Sequence, residues 1–171
     1  LSWSTILNKR ENFRRAFDLA EGEYFMWASG HDLWSSGLVS ECVELLQQHP
    51  DACLAYASCE WIGPDGEPFN RESGWYDTRG MAAPGRFFTV LWGNMHPVLG
   101  VIRSSRLREC GPVPALIGGD LVILADLSLR GSFLHAARSR WSRRDLRAEV
   151  EYRQKLKRYS SVSFGITRSP P

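Results

Sequence analysis

Apolar positions recur along the chain in two periods, and the switches between them predict its elements. From Lys9 to Ala20, residues Phe13, Ala16, Phe17 and Ala20 fall at i, i+3, i+4 and i+7, one face of a helix. Asn8 can cap it and Glu21-Gly22 ends it. Glu23 to Ala28 is a short apolar run that stops at Ser29-Gly30-His31-Asp32, the pattern of a buried strand with a polar tip. Ser35 or Ser36 then caps a second helix, with Leu38, Val39, Cys42, Leu45 and Leu46 inward. His49-Pro50 terminates it, because proline disfavours a helical residue before it. Cys53 to Ile62 is a second buried strand, closed by the turn Pro64-Asp65-Gly66.

Beyond that turn the pattern loosens. Glu67 to Pro84 is rich in Gly, Pro, Arg and aromatics without a period, and is expected to be a long loop, a kind of segment that is usually functional or mobile. Pro84 starts a short helix through Phe87, Phe88 and Leu91 that ends at Gly93-Asn94, and Pro97 to Ile102 reads as a third strand. A Gly- and Pro-rich loop from Glu109 to Gly119 leads to Asp120 at the mouth of a helix running to Arg130. That helix places Leu121, Leu124, Ala125 and Ser128 on one face, and Gly131 closes it. Ser132 to Ala136 is expected as a short strand. Ser142-Arg143-Arg144-Asp145 resembles a capping box, opening a helix with Leu146 and Val150 inward and Glu149/Arg153 and Glu151/Lys155 as i,i+4 pairs. Strands alternating with helices predict an α/β fold, and no internal repeat is visible.

Composition adds bounds. At 171 residues the chain suits one domain, expected over residues 1–158 with a loose polar tail over 159–171. A net charge of +2 predicts neither nucleic-acid nor membrane binding from the whole-molecule field. The charge is uneven, however: nine basic against three acidic residues lie between Arg138 and Arg158. The four cysteines Cys42, Cys53, Cys59 and Cys110 form no CxxC pair and read as buried, reduced thiols. No apolar run approaches the ~20 residues of a membrane span, so the expected location is the cytoplasm or the inner face of a membrane. A start at Leu1, straight into a helix, reads as a domain excerpt.

Four groups are candidates for chemistry. His31 and Asp32 at a strand tip suit a divalent metal when phosphates supply further ligands; the alternative makes Asp32 a helix-start acid favoured by the dipole. Asp120, displayed after Gly118-Gly119, is either a helix cap or a general base. Arg143 and Arg144 suit a diphosphate, an anionic lipid or nucleic acid, or form a solvated face. Trp75 and Tyr76 in a loop suit stacking on a sugar ring. His49, His96 and His135 match no zinc spacing, and hydrolase-elbow, P-loop and dinucleotide-binding motifs are absent.

In order, these pieces resemble the family 2 glycosyltransferases of GT-A fold. The similarity is carried by Ala20-Glu21-Gly22-Glu23-Tyr24-Phe25, by Ala28 to Trp34 where the family has its D-x-D-D, and by Pro64-Asp65-Gly66. It continues through Asn94 and Pro97 to Arg103, then Gly118-Gly119-Asp120 with Leu129-Arg130-Gly131. The resemblance covers about Asn8 to Arg144. It implies an incomplete Rossmann-like GT-A nucleotide-diphospho-sugar transferase fold, three-layered with a mixed sheet, without the family's nucleotide-binding first strands. It implies inverting transfer of a sugar from a nucleotide-sugar donor to a glycan or lipid-linked acceptor, as in cell-envelope polysaccharide synthesis. Asp120 would be the general base, and Asp32 and His31 would hold Mg²⁺ or Mn²⁺. Ser29, Arg143 and Arg144 would lie on the donor, and Trp75, Tyr76, Asn94 and Gly119 on the acceptor. No nucleic-acid partner is implied, and peripheral membrane association is. In this sequence D-x-D reads Ser29-Gly30-His31, and Gly119 stands where the family has a glutamate before the base. Two alternatives accompany this expectation: a degenerate, non-catalytic sugar- or partner-binding domain, and a module for anionic surfaces acting through Arg138–Arg158.

Overall fold

The structure, a computed structural model, describes residues 9–73, 76–93, 96–111 and 118–145. In chain order the elements are α1 (Lys9–Asp18), β1 (Tyr24–Phe25), β2 (Leu33–Trp34), α2 (Leu38–Gln48), β3 (Ala52–Ile62), β4 (Pro68–Ser73) and α3 (Ala83–Trp92). A 3-10 turn (His96–Leu99) follows, then β5 (Val101–Arg103), α4 (Ser104–Arg108), α5 (Gly119–Arg130) and β6 (Ser132–Arg144). The fold is mixed α/β, as expected. One mixed sheet has the order β1-β5-β3-β6-β2, with β4 added to β3. Strand β3 runs parallel to β6 and antiparallel to β5, which is itself antiparallel to β1. The strands β1, β3 and β6 therefore point the same way.

Alternation along β3 builds two cores, one on each face. Leu54 and Tyr56 join Phe133, Val90 of α3 and Ile123, Leu124 and Leu127 of α5, with Phe13 and Phe17 of α1 packed at the margin. Ala55, Ala57 and Cys59 face the other way, onto Leu38, Cys42 and Leu46 of α2 and Leu134 and Ala136 of β6. Small residues on β3 let α2 approach closely, while large ones fill the opposite layer. Cys42, Cys53 and Cys59 are buried and all four cysteines are free thiols; burial pushes the Cys53 and Cys59 thiols up to about 11.

Several boundaries depart from the sequence expectation, each for a local reason. The strand expected over Glu23 to Ala28 pairs only at Tyr24 and Phe25, because Trp27 turns away to donate its indole N–H to the Phe13 carbonyl. It also stands at one end of the described strand order. The strand expected from Pro97 begins only at Val101. The preceding residues form the 3-10 turn, and Gly100 just after it closes onto the Ala55 carbonyl and the Tyr56 Cβ, where a side chain would not fit. The expected loop after Glu67 contains β4, an antiparallel partner of β3 joined through Gly66 at φ +94°. In α2, Val39 is exposed and Glu41 is buried; in α5, Ile123 and Leu127 are buried while Leu121 and Ala125 are half-buried.

The largest difference is β6, which continues to Arg144 instead of ending at Ala136. Ala57 pairs with Ala136 but Ser58 pairs with Arg140, so Ala137, Arg138 and Ser139 bulge out of the ladder. Glu41 fills this bulge. Its carboxylate accepts from the Arg138 backbone N–H at 3.0 Å and from the Ser139 hydroxyl at 2.6 Å, and pairs with the Arg138 guanidinium at 3.3 Å. Burial pushes the Glu41 pKa up, but these donors outweigh it and hold the group below its ordinary value. Ser142 is consequently a strand residue whose hydroxyl donates to Glu60, and no capping box forms there. The helix expected after it, its two ion pairs and the 159–171 tail lie outside the described residues.

Candidate functional site

Because β1, β3 and β6 are parallel, their carboxyl ends gather at one end of the sheet, the end at which open α/β sheets bind ligands. The Ser29–Asp32 tip follows β1, the Gly63–Gly66 turn follows β3, and Arg143 and Arg144 end β6. These three segments are knit together by the tip's carboxylate. Asp32 Oδ2 accepts the Trp141 indole N–H at 3.1 Å, and Oδ1 accepts the Arg144 backbone N–H at 3.0 Å. Only 2% of the Asp32 side chain is exposed. The Arg144 guanidinium closes the same ring of contacts by donating to the carbonyls of His31, Gly63 and Pro64.

His31 is exposed at the tip. Its Nε2 lies 3.6 Å from Asp32 Oδ1, and its ring is within hydrogen-bond distance of the Ser29 hydroxyl. Three of the expected residues thus come together, with Arg144 fastening them. Among the described residues no group of three or more His, Cys, Asp or Glu is arranged to hold a metal. Each Asp32 carboxylate oxygen keeps a second lone pair beyond its N–H bond.

Asp120 stands apart from this tip, in the first turn of α5. The capping position there is Gly118, held at φ +85°, so Asp120 is not the cap. Its carboxylate is exposed and makes no hydrogen bond or ion pair among the described residues. Helix α5 runs back along the sheet, ending at Gly131 against the Asp51 carbonyl and Cys53 at the start of β3. Its first turn therefore points toward the sheet end that carries the tip. Gly119 is buried beside it. Tyr76 is fixed rather than displayed: the Tyr56 hydroxyl donates to its carbonyl at 2.6 Å and accepts its N–H at 2.7 Å. Burial raises both phenols above their ordinary range. Trp75 and Asn94 lie outside the described residues.

The strand ends also assemble an aromatic and cationic cluster that the sequence did not reveal. Trp141 stacks on Trp34 with centroids 5.3 Å apart and planes 7° from parallel. The His96 ring meets both Trp141, at 5.5 Å, and Trp61, at 5.8 Å, edge to face. Arg143 Nη1 donates to His96 Nε2 at 2.9 Å, which makes that imidazole nitrogen an acceptor. Burial, then Arg143 and Arg71, push the His96 pKa down from 6.5 to about 4. The signal available in sequence was Trp61 with Arg71 and Arg143, but only the sheet register brings them together. Glu41 was legible as the one carboxylate on an otherwise apolar stripe, yet its partners lie in β6.

Elsewhere, Ser58 and His135 share a 2.9 Å hydrogen bond across β3 and β6. Of the basic segment's described arginines, Arg138 is paired with Glu41 and Glu44, and Arg144 is spent on carbonyls. No helix among the described residues is long and apolar enough to cross a membrane. Compared with known proteins, the chain matches no protein-family model, and no curated sequence is significantly similar to it.

Proposed function

We propose that this chain is a family 2-like glycosyltransferase domain, an incomplete GT-A fold that transfers a sugar, with inversion, from a nucleotide-sugar donor to a glycan or lipid-linked acceptor. The observation that carries this is the contrast between its two aspartates. Asp32 is buried and bound by two N–H donors, whereas Asp120 is exposed and unengaged among the described residues at the mouth of α5. A base must reach its substrate, and only the second carboxylate has that freedom.

In the reaction, Asp120 accepts the proton of the acceptor hydroxyl as its oxygen attacks the anomeric carbon. The bond from that carbon to the diphosphate oxygen breaks, and the nucleoside diphosphate leaves with the electron pair. His31 and the remaining lone pair of Asp32 Oδ1 would hold Mg²⁺ or Mn²⁺, which supplies positive charge toward the departing diphosphate. Arg143 faces the same end of the sheet. The buried setting of Asp32 also favours a second reading, a degenerate, non-catalytic domain that binds a sugar or a partner. The arginines taken up by Glu41, Glu44 and backbone carbonyls leave less support for an anionic-surface module.

Assay of sugar transfer by the full protein separates these. Asp120→Asn is expected to lower transfer about 10²- to 10⁴-fold, the range for losing a general base, with unchanged donor binding. Full activity in that variant overturns the assignment. Saturable donor binding with no product, even from the native chain, establishes the binding domain instead.

A further inference from the structure

Among the described residues of α1, Phe13 and Phe17 are the ones packed against the core that α5 shares with β3. Between them and around them Arg14, Arg15, Ala16 and Asp18 are exposed. Standing on two aromatic side chains, α1 leaves a cavity of about 280 Å³ between itself, the end of α4 and α5. Phe17, Trp27, Leu107 and Ile123 form its apolar walls, with the Cys110 thiol beside them. Trp27 gives its N–H to the Phe13 carbonyl at 3.2 Å, which leaves ring carbons to line the cavity. Burial pushes the Cys110 thiol up to about 12, so it stays neutral and adds a soft apolar surface. No residue of the Ser29–Asp32 tip lines this cavity, and neither does Asp120.

The charged lining residues, Arg14, Asp18 and Arg108, are exposed and so form the rim. Arg14 is paired with Asp18 at 3.8 Å. Arg108 forms no ion pair among the described residues. Its guanidinium donates to the Ala20 carbonyl at 3.0 Å and rests 5.5 Å from the Phe17 ring centroid. One bond engages only part of a five-donor fork, and a carboxylate matches such a fork. The apolar walls favour a hydrophobic group behind that carboxylate. A cavity of about 150 Å³ holds a benzene, so this one has room for a single ring on a short arm.

We propose that this cavity is a binding site for a small aromatic carboxylate, with its ring against Phe17, Trp27, Leu107 and Ile123 and its carboxylate on Arg108. Phe17 serves both halves of the ligand, since it walls the cavity and carries the Arg108 cation over its ring. The site is separate from sugar transfer and stands whether or not the chain is a transferase.

The experiment is a calorimetric titration of the full chain with phenylacetate, with its neutral counterpart phenylethanol, and with acetate. Saturable binding of phenylacetate is expected, at least tenfold tighter than either of the others. Arg108→Gln is expected to weaken phenylacetate at least tenfold and to leave phenylethanol unchanged. Arg15→Gln, on α1 but outside the cavity, is expected to change neither. The Trp27 indole N–H resonance is expected to shift on saturation, and Ile123→Phe, which fills the cavity, to abolish both the shift and the binding. Failure of phenylacetate to saturate overturns the proposal, as does affinity that survives Arg108→Gln. Phenylethanol or acetate binding as tightly as phenylacetate overturns it too. Should Ile123→Phe unfold, the exposed Arg108→Gln and the Trp27 resonance still decide.

Discussion

His96 keeps its neutral form because burial and two cations all act against its proton. Its pKa is near 4 in the folded chain and near 6.5 when unfolded. Between those values the unfolded chain binds more protons than the folded one, so stability rises with pH across this window and falls as the solution is acidified through it. His96→Gln is expected to flatten the slope of unfolding free energy from pH 6.5 to about 4, as followed by urea denaturation at a series of pH values. Glu41 and Asp77 act in a lower window: both are held below their ordinary values, so what they contribute above them is lost as pH falls further. At this scale the sequence disclosed residues but not their jobs. Asp32 stood out as a polar group after an apolar run, yet its partners are 109 and 112 positions away. Asp120 was legible as a cap or a base, and the left-handed Gly118 decides against the cap.

Elements were legible where the period was uninterrupted. Helices α1, α2, α3 and α5 and strand β3 follow their apolar spacing to within a residue or two, because the helices turn an apolar face to the sheet and β3 is buried on both of its faces. Strand β6 was hidden beyond Ala136 because a bulge breaks its alternation and arginines occupy its outer half. The 3-10 turn was hidden because Pro97 and Gly100 act through backbone contacts that no side-chain pattern records. The joint between α5 and β6 is equally specific: a Cβ on Gly131 would meet the Asp51 carbonyl and Cys53, whereas one on Gly111 would meet nothing within 4 Å. Gly131→Ala is therefore expected to cost about 1–3 kcal/mol, the range for forcing atoms into a packed site, and Gly111→Ala close to none. Chemical denaturation of the two variants checks the difference.

For the molecule as a whole, β3 is shared by both cores, and that couples them. Leu46 lies in the α2 core and Leu124 in the α5 core, each fully buried. Truncating either to alanine is expected to cost about 2–5 kcal/mol. Because both cores grip the same strand, each variant is also expected to unfold in one transition, with tryptophan fluorescence and far-ultraviolet circular dichroism coincident. Separate transitions would show that the faces are independent. The α/β class was legible from alternating elements, whereas the mixed sheet was expected only from the family resemblance. The strand order was not, since pairing between distant segments leaves no local mark.

That distant pairing bears on how the chain acquires its shape. Ser132, the first residue of β6, bonds to Asp51 across 81 positions, and the β3–β6 ladder runs in parallel from there to Arg144. Parallel pairing at such separation is slow to nucleate, because the intervening loop must be closed before any contact rewards it. During synthesis α2 and β3 leave the ribosome long before β6 exists, so β3 waits with one edge open. That edge belongs to an apolar strand of the kind that recruits other chains. The nascent protein is thus expected to depend on protection by a chaperone until its last described strand arrives.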